Sequence, residues 1–218
     1  MADISLKVVL LGETAVGKSC LIARFISDIF QTNHITTMTG TYMSKDIFYE
    51  KANKKLKYEI WDTAGQEKYR TINKMFYRDA NVAILVLDIT RKDTFEAIKN
   101  YWYDEVRNNG PEDIIFALAA NKCDLYEYEE VTNTQLEEYA QSIGAIYKQT
   151  SALNNTGISD MFDNIGYKFL SPENYKEYIK KTSSKKKLNL SEDYNHNFNN
   201  DKESNATSIK KRKKKSCC

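Results

Sequence analysis

Gly12-Glu13-Thr14-Ala15-Val16-Gly17-Lys18-Ser19 has the form G-x-x-x-x-G-K-[ST], a loop whose backbone N–H groups, with the N-terminus of a following helix, face phosphate oxygens. Lys18 is then placed to reach the β- and γ-phosphates of a nucleotide, and the Ser19 hydroxyl suits Mg2+. A chance Gly-rich turn shows the same letters without the context, which is a strand before the loop and a helix after it. Some sixty residues on, Asp62-Thr63-Ala64-Gly65-Gln66 follows an alternating apolar segment. An acidic residue at the carboxyl end of a strand lies at the ligand crevice of an open sheet. That gives Asp62 to the Mg2+ shell, the Gly65 N–H to the γ-phosphate and the Gln66 amide to a water aligned for attack. For Asp62 taken alone, a strand-end turn residue is the plainer alternative.

A second constellation, Asn121-Lys122-Cys123-Asp124, follows the apolar run Ile114 to Ala120. A carboxylate at Asp124 accepts from the guanine N1–H and 2-amino group together, whereas adenine offers an acceptor there and no amine, leaving the carboxylate unpaired. Asn121 is expected to tie this loop to the phosphate loop, and the Lys122 stem to lie along the base. Thr150-Ser151-Ala152, after the last strand, supplies backbone N–H for the guanine carbonyl. Such residues are common in turns, so the assignment leans on the phosphate motifs upstream.

These residues need strand ends to stand on. Leu6 to Leu11 is a short apolar run closed by Gly12, and Lys18 to Ser27 has helical spacing. Tyr42 to Tyr49 and Leu56 to Trp61 alternate and flank the polar Glu50 to Lys55, an antiparallel hairpin. Val82 to Asp88 and Ile114 to Ala120 are apolar throughout, which suits strands buried on both faces of a parallel sheet. A helix over Thr94 to Asn108, with Asp93 as its cap, crosses between them. Leu136 to Ile143 is a helix, Ala145 to Thr150 a strand and Ile158 to Leu170 an amphipathic helix. Strands alternating with helices give the α/β class, with a mainly parallel six-stranded sheet flanked by helices.

Composition sets the bounds. With 218 residues, 41% apolar and 28% charged, the chain suits one globular domain and an extension, and excludes collagen-like, mucin-like and disulfide-rich scaffolds. The four cysteines show neither disulfide nor zinc spacing. No apolar stretch approaches the roughly 20 residues of a membrane span, and the start lacks the pattern of a secretory signal, so a reducing compartment is expected. From residue 171 onward 13 Lys+Arg face 6 Asp+Glu, a net +7, while the first 170 residues hold 19 against 24, a net −5. Beyond Pro172 the Lys, Asn, Ser and acidic residues cannot bury enough surface to offset ordering entropy, and disorder is expected from about residue 180.

GETAVGKS, WDTAGQEKYR, FYRDA, LVLDIT, NKCD and TSA, in this order and spacing, resemble the Ras superfamily of small GTPases and within it the Rab family, with EYAQSIGA similar to the endosomal Rab branch. The likeness covers about residues 5 to 170. It implies a P-loop NTPase (small G-protein) fold over residues 1–172 and a hypervariable tail over 173–218. The implied activity is a Mg2+-dependent hydrolysis of GTP that switches membrane trafficking, with GTP or GDP bound. By position, Phe30 stacks on guanine and Thr37 joins Mg2+ and the γ-phosphate, beside Gln66, Lys18 and Gly65 in the catalytic set. Tyr42, Trp61 and Phe76 form the aromatic patch that effectors read, against the plainer view of three half-buried aromatics. The implied partners are effectors, an exchange factor, a GTPase-activating protein, a GDP-dissociation inhibitor and a prenylation escort protein.

Some positions depart from the family pattern. Thr14 stands where Ras has Gly and Rabs often Ser, adding bulk beside the γ-phosphate that slows hydrolysis. Thr37-Met38-Thr39-Gly40 replaces the usual Thr-Ile-Gly, Leu153 replaces the Lys of SAK, and Phe76 stands where many Rabs have Tyr. No Arg lies in the loop Gln31 to Thr41, so turnover is expected to be slow and to need an Arg supplied in trans. A guanine-nucleotide-bound scaffold with negligible hydrolysis is the alternative. Six cations, Lys210 to Lys215, precede Cys217 and Cys218. This resembles the Rab double-cysteine ending and implies prenylation of both thiols and anchoring to an anionic membrane on the cytoplasmic face of an endosome, cycling with cytosol. Nuclear-localisation and nucleic-acid patches share such charge runs, but the acidic body carries no nucleic-acid motif.

Overall fold

Apolar runs of the sequence pair into one six-stranded sheet in a computed structural model that describes residues 4–28, 40–63 and 75–180. The strands are β1 (Ile4–Leu11), β2 (Thr41–Tyr49), β3 (Lys54–Asp62), β4 (Val82–Asp88), β5 (Ile115–Asn121) and β6 (Ile146–Gln149). Their order is β2-β3-β1-β4-β5-β6. Only the β2–β3 pair is antiparallel; the other four pairings are parallel. Every residue of β4 is buried, as expected for a strand covered on both faces. β3 alternates instead, burying Leu56, Tyr58 and Ile60.

The helices are α1 (Lys18–Ser27), α2 (residues 92–109), α3 (Asn133–Ser142) and α4 (Ile158–Leu170). Within α2 the segment Ile98–Trp102 widens into a π-helical turn between Lys92–Ala97 and Tyr103–Asn109. Asp93 does not cap this helix. Arg91 occupies the N-cap without a side-chain cap bond, and Asp93 sits in the first turn, where its carboxylate takes the Arg91 guanidinium at 2.7 Å. The Thr94 hydroxyl does the local work, accepting from the Asp88 N–H at 3.1 Å and donating to the Arg91 carbonyl at 2.6 Å. α3 starts on a capping box in which Thr132 and Gln135 satisfy each other's backbone N–H groups.

Trp102, Phe95, Ile98, Leu118 and Leu136 join β1 and β4 side chains in one apolar cluster. A separate aromatic layer joins α1 and α4 to the sheet, with the Phe25 and Phe162 rings stacked at 3.6 Å between centroids and Tyr58 edge-on to both.

Contacts divide the chain into Met1–Ser171 and Pro172–Cys218. In the second unit Pro172–Asn174 forms a 3-10 turn and residues 175–180 are helical, where composition placed the start of the tail. Among the described residues no helix is long and apolar enough to cross a membrane.

Candidate functional site

Four strand ends meet at the carboxyl edge of the sheet: β1 opens into Gly12–Ser19, β3 ends at Asp62, β4 at Asp88 and β5 at Asn121. β1 lies between β3 and β4, so the chain turns to opposite sides at β1, and this is the crevice where open α/β sheets bind ligands.

The phosphate loop owes its course to neighbours as much as to its own residues. Gly17 has φ 96°, and a Cβ there would collide with the Asn121 side-chain amide. That amide donates to the Val16 carbonyl at 2.7 Å, while its oxygen accepts from the Thr150 hydroxyl at 3.2 Å. Asn121 thus fastens the loop after β5 to the phosphate loop on one side and to the end of β6 on the other. Ala15 (φ 65°) and Lys122 (φ 63°) are non-glycine residues in the left-handed region, backbone that persists only where the surroundings fix it.

The Lys18 ammonium, 6% exposed, donates to the Gly12 and Glu13 carbonyls at 2.8 and 2.9 Å. Burial lowers its pKa to about 8, with the nearby Asp62 and Glu13 charges pulling the other way. The Ser19 hydroxyl donates to buried Asp62 at 2.5 Å. The Ser19 hydroxyl at the start of α1 and the Asp62 carboxylate at the end of β3 are oxygen donors that suit Mg2+, which takes few protein groups and completes its shell with phosphates and waters.

At the base loop the Ser151 hydroxyl donates to Asp124 at 2.5 Å. The Lys122 ammonium pairs with Asp88 at 2.6 Å, and Asp88 also accepts from the Thr90 N–H and hydroxyl at 3.0 and 2.7 Å. Arg24 of α1 donates to the Ala152 and Leu153 carbonyls at 2.8 and 3.0 Å, holding the Ser151-Ala152 turn. Cys20 and Cys123 are free thiols, both with pKa raised mainly by burial.

Away from the crevice, Tyr42, Trp61 and Phe76 form a continuous aromatic row, with centroids 5.3 Å apart for the first pair and 5.5 Å for the second. Gly40 packs directly on the Phe76 ring, and Tyr42 is an exposed large side chain.

The structure therefore brings together Gly12, Glu13, Thr14, Ala15, Val16, Gly17, Lys18, Ser19, Asp62, Asn121, Lys122, Asp124, Ser151 and Ala152. Phe30, Thr37, Gly65, Gln66, Cys217 and Cys218 lie outside the described residues. Sequence reasoning missed Asp88, Arg24, Arg91 and Trp102. The rule that singled out Asp62, an acid ending a strand, applies equally to Asp88 after Val82–Leu87; the other three belong to no motif and are visible only through contacts.

Among models of protein families, the one described as the Ras family matches residues 7–171. Human "Ras-related protein Rab-22A" is 43% identical over 173 residues, covering 79% of this chain and 88% of that protein. Mouse "Ras-related protein Rab-31" is 44% identical over 165 residues, 76% of this chain and 83% of that protein. "Ras-related protein RabJ" of Dictyostelium discoideum is 40% identical over 182 residues, 84% of this chain and 70% of that protein.

Proposed function

Because the chain belongs to the Ras family, as a Rab small GTPase, we propose that it is a GTP-hydrolysing switch that regulates vesicle trafficking at an endosomal membrane. Proteins of this family bind GTP and GDP with Mg2+. The observation that carries the reading is the Asn121 amide on the Val16 carbonyl: it fixes a loop suited to guanine against a loop suited to phosphates, so a guanine nucleotide spans both.

Asp124 reads the base edge, with Ser151 orienting its carboxylate and backbone N–H of Ser151 and Ala152 facing the guanine carbonyl. The Lys122 stem lies along the base, held by Asp88, and Phe30 stacks on it. The backbone N–H groups of Glu13 to Ser19 cradle the phosphates. Lys18 gives up its two carbonyls for β- and γ-phosphate oxygens, which favour its charged form. Ser19 and Asp62, with Thr37, would hold Mg2+, which would offset the negative charge of the phosphate oxygens. Gly65 donates its N–H to the γ-phosphate and Gln66 orients the attacking water. Turnover is slow because the Gln31 to Thr41 loop has no Arg, and an activating protein supplies one in trans.

Tyr42, Trp61 and Phe76 present an aromatic row to effectors. Exchange factor, GDP-dissociation inhibitor and escort protein complete the cycle. Lipids on Cys217 and Cys218, with the Lys210 to Lys215 run, hold the protein on an anionic cytoplasmic leaflet, since two chains plus basic charge anchor stably where one does not.

The test is nucleotide content and single-turnover hydrolysis of the purified chain with Mg2+, GTP against ATP. Guanine-only binding is expected, with slow hydrolysis that falls about tenfold to a hundredfold in Gln66→Leu. Binding without Gln66-dependent hydrolysis assigns the guanine-nucleotide-bound scaffold instead, and equal binding of ATP overturns the base assignment. Replacing Cys217 and Cys218 with Ser is expected to move the protein to the cytosol; continued membrane association refutes the anchor.

A further inference from the structure

Side chains bond the loop from β1 to α1 at Gly12, Glu13, Thr14 and Val16, and the partners fall into two groups. Lys18 on the Gly12 and Glu13 carbonyls and Asn121 on Val16 come from nucleotide motifs. The other two come from α2 and from its N-cap, outside every motif. The Trp102 indole N–H donates to the Glu13 carboxylate at 3.1 Å, and the Arg91 guanidinium donates to the Thr14 carbonyl at 3.1 Å.

Neither contact is a loose surface encounter. Trp102 is 0% exposed, and a buried indole N–H requires an acceptor; the one it takes is charged, which shortens and strengthens such a bond. It stands at the end of the π-helical turn Ile98–Trp102, and π turns inside α-helices concentrate at functional sites. Arg91 is held from behind. Its second guanidinium nitrogen bonds Asp93 at 2.7 Å, its own N–H donates to the Asp88 carbonyl at 3.0 Å, and its carbonyl takes the Thr94 N–H at 3.1 Å. The planar fork is therefore set before it meets Thr14.

What this fixes is a peptide plane. In a trans peptide the C=O and N–H point to opposite sides, so a Thr14 carbonyl held on Arg91 aims the Ala15 N–H away from Arg91. Asn121 does the same for the peptide after Val16. The two bonds bracket Ala15, the loop's one non-glycine residue with positive φ, in the alternating backbone whose successive N–H groups form an anion nest.

On the switch reading above, we propose that Arg91 and Trp102 are positioning residues for nucleotide: α2 and its N-cap residue grip Glu13 and Thr14 so that the loop's N–H groups stay aimed at the phosphates. Neither residue touches the nucleotide in this role. Their loss speeds its release.

The experiment is release of fluorescently labelled GDP from the full chain, chased with excess GDP at fixed Mg2+. Arg91→Gln, a change at a side chain that is 41% exposed, is expected to speed release about threefold to tenfold, the range one hydrogen bond is worth. Asp93→Asn, which leaves the guanidinium but loosens it, speeds release less, and adds nothing on top of Arg91→Gln. Trp102→Phe, which keeps a ring and deletes the donor, and Glu13→Gln each speed release, and the double variant is no faster than the faster single one. A packing role for Trp102 gives additive effects instead and overturns its part. A parent chain that holds GDP tightly, with Arg91→Gln and Trp102→Phe both within about twofold of it, overturns the proposal while the switch reading stands. A parent chain that holds no guanine nucleotide overturns both.

Discussion

At the carboxyl edge of the sheet the loops are held by polar side chains that donate to backbone carbonyls: Asn121 to Val16, Arg24 to Ala152 and Arg91 to Thr14. On the face covered by α1 and α4 the elements are held by rings packed on rings, Phe25 on Phe162 and Tyr58 edge-on to both. The first region fixes directions with a few bonds, each worth about 1 kcal/mol of stability. The second removes area from water, each large ring contributing about 2–3 kcal/mol. Substitutions at the edge are thus expected to alter what is bound with little change in folding, and those in the ring layer the reverse.

The largest expected effect falls at the edge. On the proposed base assignment, Asp124→Ala removes the acceptor of two hydrogen bonds from guanine, and charged hydrogen bonds are worth about 1.5–3 kcal/mol each. GDP affinity by calorimetry is expected to fall a hundredfold or more, while the melting temperature of the ligand-free chain moves by only about 2 °C. An equally large drop in melting temperature would erase the distinction between the regions.

Next comes the ring layer. The Tyr58 hydroxyl donates to the Phe162 carbonyl at 2.7 Å, which spends its one proton. The 2.6 Å bond between the two tyrosines is therefore donated by Tyr49. Burial, the larger cause, and the Tyr49 neighbour push the Tyr58 pKa well up. Both hydroxyls sit where a Cβ on Gly166 would be. Gly166→Val is expected to cost about 2–3 kcal/mol in urea unfolding, yet the folded fraction should release GDP at the parent rate within about twofold.

The two regions were also unequally legible. Motif spacing singled out Lys18, Ser19, Asp62, Asn121 and Asp124, the residue types that phosphate and guanine chemistry would demand at strand ends, and the structure brings them to one edge of the sheet. Periodicity placed the strands, with β4 at Val82–Asp88 and α4 at Ile158–Leu170, because buried parallel strands and amphipathic helices leave different periods. Asp93 misled because an acid ahead of an apolar period has the look of a cap, while the turn is closed by Thr94 and Arg91. Gly166 carried no local signal at all, since the crowding comes from Tyr49 and Tyr58, more than a hundred residues away in the chain. Arg91 and Trp102 share that obscurity: a bond to a loop 77 or 89 residues distant leaves no spacing to read.

A smaller effect, and one that separates the two properties by sign, is the pH response of Lys18. Its pKa in the fold is about 8, below the ordinary 10.5, so between these values the unfolded chain binds more protons and the ligand-free fold gains stability as pH rises. Phosphate anions raise the pKa again, so GDP affinity is full below about pH 8 and is lost above it, by at most about tenfold per pH unit. Urea midpoints and GDP titrations between pH 7 and 9.5 are expected to move in opposite directions, and a parallel decline would remove Lys18 as the cause.

The smallest effect sharpens the ring layer itself. Tyr49→Phe deletes the donor to Tyr58 but leaves the Tyr58 bond to Phe162, so the cost should be about 1 kcal/mol. The same deletion removes one of the two hydroxyls that crowd Gly166. Gly166→Ala should therefore cost less in the Tyr49→Phe background than in the parent, a coupling that a four-way cycle of urea midpoints measures. If the two costs simply add, the close approach of Tyr49 is not what keeps glycine at position 166, and the remaining contact with Tyr58 must be responsible.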